Sequence, residues 1–416
     1  MTSSENKQPI YIILLLVLAG ESIFVLPFVL ARVFRPIFLD VFDLSNEELG
    51  YCFSVYGIVA LISYFLGGGL ADKYQPRHLM SFAMLLTACG GIYMSTFPSY
   101  EMMLVLFGFW GFTTIFLFWS PLIKATRVWG ANKSQGKAFG MLDGGRGLVA
   151  AGFGFMGVYL LSTLYPVNPE LLNIENKQEI FRQVILYSSL LIILISIFVL
   201  TGLKLPKDIQ PTERNPVLYY LACLKLPSVW LLMFIILSAY VGYKITDYFA
   251  QYANEIMNYD ELLSGKIGTY LLLLRAVVAV MIGFIADRFN PFYLLLGGFG
   301  CLLLGALIFS FGGIRPPEYL FFILSVLITG IGVYATRALY YAVMKKGKIP
   351  LVYTGTAVGI VSIVGYTPDI FVGPLTGNML DNHPGMQGYQ MIFGTLALFA
   401  LVGLISSYVF MKINKR

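Results

Sequence analysis

Apolar residues arrive along this chain in runs near the roughly 20 positions that a helix needs to cross about 30 Å of hydrocarbon. About twelve such runs stand out, near 10–36, 47–70, 79–98, 101–127, 137–164, 181–203, 227–250, 264–286, 292–313, 318–343, 352–374 and 389–411, with polar residues gathered between them. The pattern predicts an all-α membrane protein of twelve transmembrane helices. The first run is too long for a removable signal peptide, and no small-residue cleavage site follows it.

Composition points the same way: 58% of residues are hydrophobic and 12% charged, against roughly a quarter charged in a soluble domain. Cys52, Cys89, Cys223 and Cys301 fall singly on different runs without metal-ligand spacing, so they read as packing residues and no metal or cofactor is expected. The bases choose an orientation. With the N-terminus inside, Lys73, Arg77, Lys133, Lys137, Arg288, Lys345, Lys346 and the C-terminal bases all fall inside, while Lys177, Arg182, Lys266 and Arg315 fall outside. The positive-inside rule then puts both termini in the cytoplasm, with a bacterial inner membrane as the expected location. The net charge of +6 follows from this topology, and nucleic acid is not an expected partner.

Two stretches repeat one phrase: GGLADKYQP at 68–76 and GFIADRFNP at 283–291. Both close an even-numbered run, the second and the eighth, so six helices separate them. Gly50 and Gly265 open the same two runs, and KATRVW at 124–129 and YATRAL at 334–339 close the fourth and tenth. These marks imply a duplicated six-helix unit: a bundle over 1–203, a polar, proline-bearing linker over 204–226, and a second bundle over 227–416. Twelve runs, two parallel halves and a G-x-L-A-D-K/R loop after the second run resemble the major facilitator superfamily. The loop departs from that family's usual Gly-Arg-Arg/Lys ending, running Tyr74, Gln75, Pro76, Arg77. The resemblance implies two pseudo-symmetric six-helix bundles acting as a monomer. It also suggests a cytoplasmic conformational latch at Gly68, Asp72 and Arg77 and again at Gly283, Asp287 and Arg288. There each Asp would cap a neighbouring helix or pair with a base such as Arg127 or Arg337.

Function has to come from charges inside the runs, because each is costly unless it faces a cavity or a partner. Measured at 1.5 Å per residue from the inner ends, Arg275 lies roughly 18 Å deep, Arg146 roughly 15 Å and Glu21 roughly 17 Å, all near the midplane. Lys244 and Asp247 lie somewhat past the middle of the seventh run. Asp143 and Arg146, and likewise Lys244 and Asp247, are spaced i, i+3, so each pair is expected to neutralise itself along one helix face. Arg275 has no acid within a turn and needs a partner from elsewhere. Glu21 is equally alone, which leaves two readings: a salt bridge to one of those arginines, or a titrating carboxyl.

A closer resemblance covers 119–147, WSPLIKATRVWGANKSQGKAFGMLDGGRG. It is similar to the organophosphate and related organic-anion transporters, which share W-x-P, a base at Lys124, an aromatic at Trp129 and a short K-x-x-G turn. The similarity implies that Arg146 stands at a substrate-binding position. LPFVLARVF at 26–34 is a weaker echo that puts Arg32 near a phosphate-binding arginine after a three-residue gap. The paired arginine of the seventh helix is absent, and Lys244 is the nearest base, with Tyr243 beside it.

The expected function is therefore secondary active transport of a small organic anion by alternating access, coupled to protons or to a counter-substrate. Arg146, Arg275, Lys244, Tyr243, Arg32 and Lys124 would bind the substrate, and Glu21, Asp143 and Asp247 would serve coupling. A proton-coupled exporter of neutral or cationic compounds is the alternative within transport, though the fifth run lacks the glycine-proline signature of antiporters. A transport-inactive receptor or scaffold would be expected to carry a sizeable soluble domain. An enzyme is not expected, since neither His78 nor His383 lies in a run and no Ser-His-Asp constellation is present. If the repeated Asp holds inner helix ends together, Asp72→Ala and Asp287→Ala should each shift the balance between inward- and outward-open forms. Cysteine accessibility on both faces reads that shift.

Overall fold

The computed structural model describes residues 9–130, 135–164, 173–204, 224–340, 343, 347 and 354–414; within these, the side chains at 65–73, 127, 135–137, 139, 284, 287, 288 and 354–359 are not described. The described residues form helices, with no strand among them. They make twelve rods: α1 (Ile10–Ser22 and Val25–Val33), α2 (Asn46–Lys73), α3 (Pro76–Met94), α4 (Tyr100–Gly130), α5 (Gln135–Leu164), α6 (Ile174–Gly202), α7 (Pro227–Glu255), α8 (Glu261–Arg288), α9 (Pro291–Gly312), α10 (Tyr319–Leu339), α11 (Thr354–Gly365 and Pro368–Asn382) and α12 (Met386–Asn414). Eight of them are long and apolar enough to cross a membrane, and α1 makes a ninth when its bent pair is taken as one span. The outside of the rods is apolar, with Phe311, Leu320 and Tyr159 turned outward. That is the side-chain distribution of a surface facing lipid.

Sequence chemistry explains where the rods bend. Pro27 has no N–H to give and its ring crowds the preceding turn, and α1 passes this point as a π turn over Val25–Val29 with a 43° bend. The run expected to continue to 36 stops at Val33, and Pro36 opens a short separate helix, Arg35–Phe42. Ahead of Pro121, α4 widens to a π segment over Phe112–Trp119. A 3₁₀ turn over Thr246–Tyr248 interrupts α7, and Pro368 starts the second segment of α11.

Two apolar cores form, one running from Ile12 to Leu203 and the other from Val229 to Met411, with Leu272 of α8 joining the first. The halves meet where α2 lies on α11, α5 on α8 and α1 on α7. Glycine makes the first two contacts possible. A Cβ on Gly50 would fall onto the backbone of Gly373 and Pro374, and one on Gly147 would meet the Ala276 backbone at 3.0 Å. Gly265, at the matching place on α8, packs on the Phe34 ring.

Polar contacts seal the same face, which lies opposite the chain termini. Asp381 accepts from the backbone N–H of Asn46 and Glu47 at 3.3 and 2.7 Å, capping α2 from the other half. Lys177 bridges Asp40 and Glu261 at 2.9 and 2.8 Å. Toward the face bearing the termini, near the other ends of α5 and α8, a would-be Cβ on Gly140 or Gly283 has no described atom within 4 Å. The described contacts are those of a form closed on the far face.

The close passage at Gly50 gives a direct test. Gly50→Ala puts a methyl against backbone that cannot yield, at the ~1–3 kcal/mol typical of overpacking, so it should shift the population toward the form open on the far face. Labelling of a cysteine placed at Thr376, which is buried in this form, should rise roughly 5- to 100-fold in rate.

Candidate substrate-binding site

Charged side chains collect where the halves meet, and several sit at the helix irregularities. Glu21 is the penultimate residue of the first α1 segment, Asp247 lies in the 3₁₀ turn of α7, and Asp369 stands in the first turn after Pro368. At such breaks backbone groups are free to face a cavity, and a helix N-terminus such as that before Asp369 favours a carboxylate.

Each acid finds its base on another helix. Arg32 of α1 forms a buried ion pair with Asp247 and also donates to the Tyr243 hydroxyl at 2.6 Å. Glu21 takes Arg146 Nε at 2.8 Å and Arg275 Nη1 at 3.4 Å, and Arg275 Nη2 reaches Asp143 at 3.0 Å. Lys244 pairs with Asp369 at 3.3 Å, and the Tyr240 hydroxyl donates to the same carboxylate at 3.1 Å. Aromatic faces hold the cations from the other side. Lys244 lies 4.7 Å from the Phe28 and Phe53 ring centres, and Arg146 sits over Phe24 and Trp119 at 5.3 and 5.6 Å. The Tyr243 ring carries three guanidinium groups, of Arg337 at 3.7 Å, Arg32 at 4.3 Å and Arg275 at 5.7 Å.

This geometry corrects the intrahelical pairing expected from i, i+3 spacing. Asp143 does not bind Arg146, and Lys244 does not bind Asp247. Spacing of i, i+3 permits such a pair, but here the neighbouring helices deliver partners at hydrogen-bond distance. Small residues bring those helices close: a Cβ on Gly145 would meet Val17 of α1, and one on Gly144 would meet Val280 of α8 at 3.3 Å. Arg275 meets its acids from the other half, as its isolation in sequence required, and of the two readings left open for Glu21 the observed contact is the salt bridge.

The latch residues fare differently. The side chains of Asp72, Arg127, Asp287 and Arg288, and Gly68, lie outside the described residues. Arg77 donates to its neighbour His78 at 2.9 Å, and a Cβ on Gly283 would meet no described atom within 4 Å. Arg337 lies in the last turn of α10, where the sequence put it, and its guanidinium carbon stands 3.7 Å from the centre of the Tyr243 ring of α7, within the charge cluster; the loop aspartates it was expected to meet lie outside the described side chains. Lys124 sits half-buried on α4.

Sequence reasoning passed over Asp369 and Tyr240. Asp369 carried a usable signal, an acid inside an apolar run directly after a proline. Among the described residues the cluster holds five bases (Arg32, Arg146, Lys244, Arg275, Arg337) against four acids (Glu21, Asp143, Asp247, Asp369), and Nε and Nη1 of Arg337 find no hydrogen-bond partner there. Surface recesses of about 410 and 440 Å³ lie elsewhere, on the far face beside Arg315 and beside Asp43.

Comparison with known proteins follows the same lines. The family model described as Major Facilitator Superfamily matches residues 10–369. Inner membrane protein YihN of Escherichia coli (strain K12) is 28% identical over 412 residues, covering 96% of this chain and 94% of that protein. Inner membrane protein YqcE of the same organism is 27% identical over 381 residues, covering 89% and 87%. Among solved structures, a D-xylose-proton symporter superposes with a TM-score of 0.78 at 14% identity, covering 96% of this chain and 97% of that one. A bacterial homologue of the human lysosomal transporter Spinster, inward-facing and unoccupied, gives 0.71 at 18% identity, covering 99% of each chain.

Buried pairs of this kind have a signature in mutants. Removing one partner strands the other charge and costs about 3–5 kcal/mol, whereas removing both is far milder. Arg32→Gln and Asp247→Asn should each lower the melting temperature of the purified protein sharply, and the double variant should recover most of the loss.

Proposed function

This chain belongs to the Major Facilitator Superfamily, and from that premise we propose that it is a secondary active transporter of a small organic anion, working in the inner membrane by alternating access. One observation carries the reading: among the described residues, the central charge cluster around Tyr243 and Glu21 holds five bases and four acids. An anion entering between the halves completes the balance. A cationic substrate would add to the excess, which argues against the exporter of cationic compounds.

Coupling follows from partner exchange. Arg275, on the C-terminal half, is held by Glu21 and Asp143 of the N-terminal half. A guanidinium has several N–H donors in a planar fork suited to carboxylates, so an incoming anion competes for it. Asp143 is the partner that yields, because its carboxylate is 34% exposed whereas Glu21 is 2% exposed and held by two arginines. A carboxylate left without a cation inside the membrane is costly and takes up a proton instead. Anion and proton then bind together, and the link between the halves is loosened by the same event. Glu21 keeps Arg146 throughout and acts as the fixed point.

Two measurements test this. A thermal-shift screen of the detergent-purified protein against organic acids, sugars and organic cations should find stabilisation by organic acids; stabilisation by cations alone overturns the anion reading. In proteoliposomes, Asp143→Asn should abolish pH-driven accumulation of a stabilising acid while sparing its exchange across the membrane. Accumulation at the wild-type level would remove Asp143 from coupling.

A further inference from the structure

Four of the eight buried side-chain polar atoms that lack a hydrogen-bond partner among the described residues belong to one neighbourhood: Arg275 Nε, Arg337 Nε, Arg337 Nη1 and the Tyr334 hydroxyl. Tyr334 and Arg337 are one turn apart on α10, and Arg337 and Arg275 both lie over the Tyr243 ring of α7. Tyr334 is in electrostatic reach of Arg275, Arg337 and Tyr243. Buried donors without acceptors are costly and uncommon in folded proteins. Here they are too enclosed for solvent to satisfy them, and they converge. What is missing is an acceptor with more than one lone pair.

Resting on the transporter reading above, we infer that these donors form an anion pocket built by the C-terminal half alone, with Arg337 as the anchor, and that its ligand is a monocarboxylate. Charge fixes the number. Arg337 is, among the described residues, the base of the cluster outside any ion pair, so at capture, before Asp143 gives up Arg275 and is protonated, a single negative charge brings the site to neutrality, while a second would leave a buried charge unanswered. Geometry fixes the kind. The guanidinium carbon of Arg337 stands 3.7 Å from the Tyr243 ring centre, so the ring covers one side of the group and leaves its planar N–H fork to an acceptor that can take two bonds, as a carboxylate does. The same ring carries Arg275, so a carboxylate bound by Arg337 and Tyr334 lies next to the Nε that Arg275 does not use for Glu21 or Asp143. Arg337 thus captures the anion, and Arg275 transmits its arrival to the other half.

The test uses the purified full chain, with gluconate and pyruvate as monocarboxylates, succinate as the dicarboxylate and xylose as the neutral control. Monocarboxylates should raise the melting temperature of the wild type, and Arg337→Gln should weaken their binding by about 10- to 100-fold, the loss of one or two charge-assisted hydrogen bonds. Without any ligand, Arg337→Met should melt about 2 °C or more above the wild type, because it removes a buried charge that nothing answers. A variant that melts lower, or fails to fold, makes Arg337 a structural residue and overturns the proposal. Unchanged monocarboxylate binding in Arg337→Gln moves the anchor elsewhere while leaving the anion reading intact. Tighter binding of succinate than of the monocarboxylates overturns the single-charge pocket. If no carboxylate of either charge stabilises the wild type, the organic-anion function itself falls.

Discussion

An arginine in the middle of a bilayer costs a few kcal/mol or more unless an acid or a water-filled cavity answers it. This protein answers four of its five central bases with carboxylates from other helices. Two of those links, Arg32 with Asp247 and Arg275 with Glu21 and Asp143, cross between the halves. The bonds that make the charges tolerable are therefore the bonds that hold the halves together. Whatever competes for them changes both binding and conformation. That dependence is the physical core of the coupling proposed above, and it needs no separate signalling element.

Sterics and electrostatics divide the interface. Toward the face opposite the termini, contact is made by backbone on backbone, where Gly50 meets Gly373 and Gly377 meets Asn46, with Asp381 and Lys177 adding polar links. Near the middle, ion pairs and aromatic faces take over. Close-packed glycine contacts are short-ranged and all-or-none, so they define a closed state, whereas ion pairs can change partners at modest cost. A switching device needs both kinds, and here they sit at different depths along the same helices.

Duplication explains part of the arrangement. Arg32 and Asp247 are 215 residues apart, the same offset that relates Gly50 to Gly265 and Asp72 to Asp287. Phe28 and Tyr243 share it as well. Equivalent positions on α1 and α7 face each other across the pseudo-twofold axis, so a base in one copy and an acid in the other meet there. Divergence of the two copies turned a symmetric contact into a complementary one. Only one half acquired the aromatic platform at Tyr243 that carries three guanidinium groups.

Hydrophobic run length determined the helices, the repeated Asp loops determined the two-half organisation, and the cost of charge in hydrocarbon pointed to Glu21, Asp143, Arg146, Lys244, Asp247 and Arg275. These are properties of single helices or of the chain's own periodicity, and one sequence carries them in full. Partner choice is of another kind. Spacing of i, i+3 says that Asp143 and Arg146 share a face, but not whether a base from α8 stands closer, because that depends on which helices adjoin and on the glycines that let them approach. Arg337 illustrates the point: its place in the last turn of α10 is legible in sequence, but only the packing of α10 against α7 brings it over Tyr243. Six of the nine charges of the cluster could be read from the apolar runs that hold them; Asp369 and Arg337 joined it only through helix packing, and so did every pairing, because an ion pair between helices is set by distances that no local pattern records.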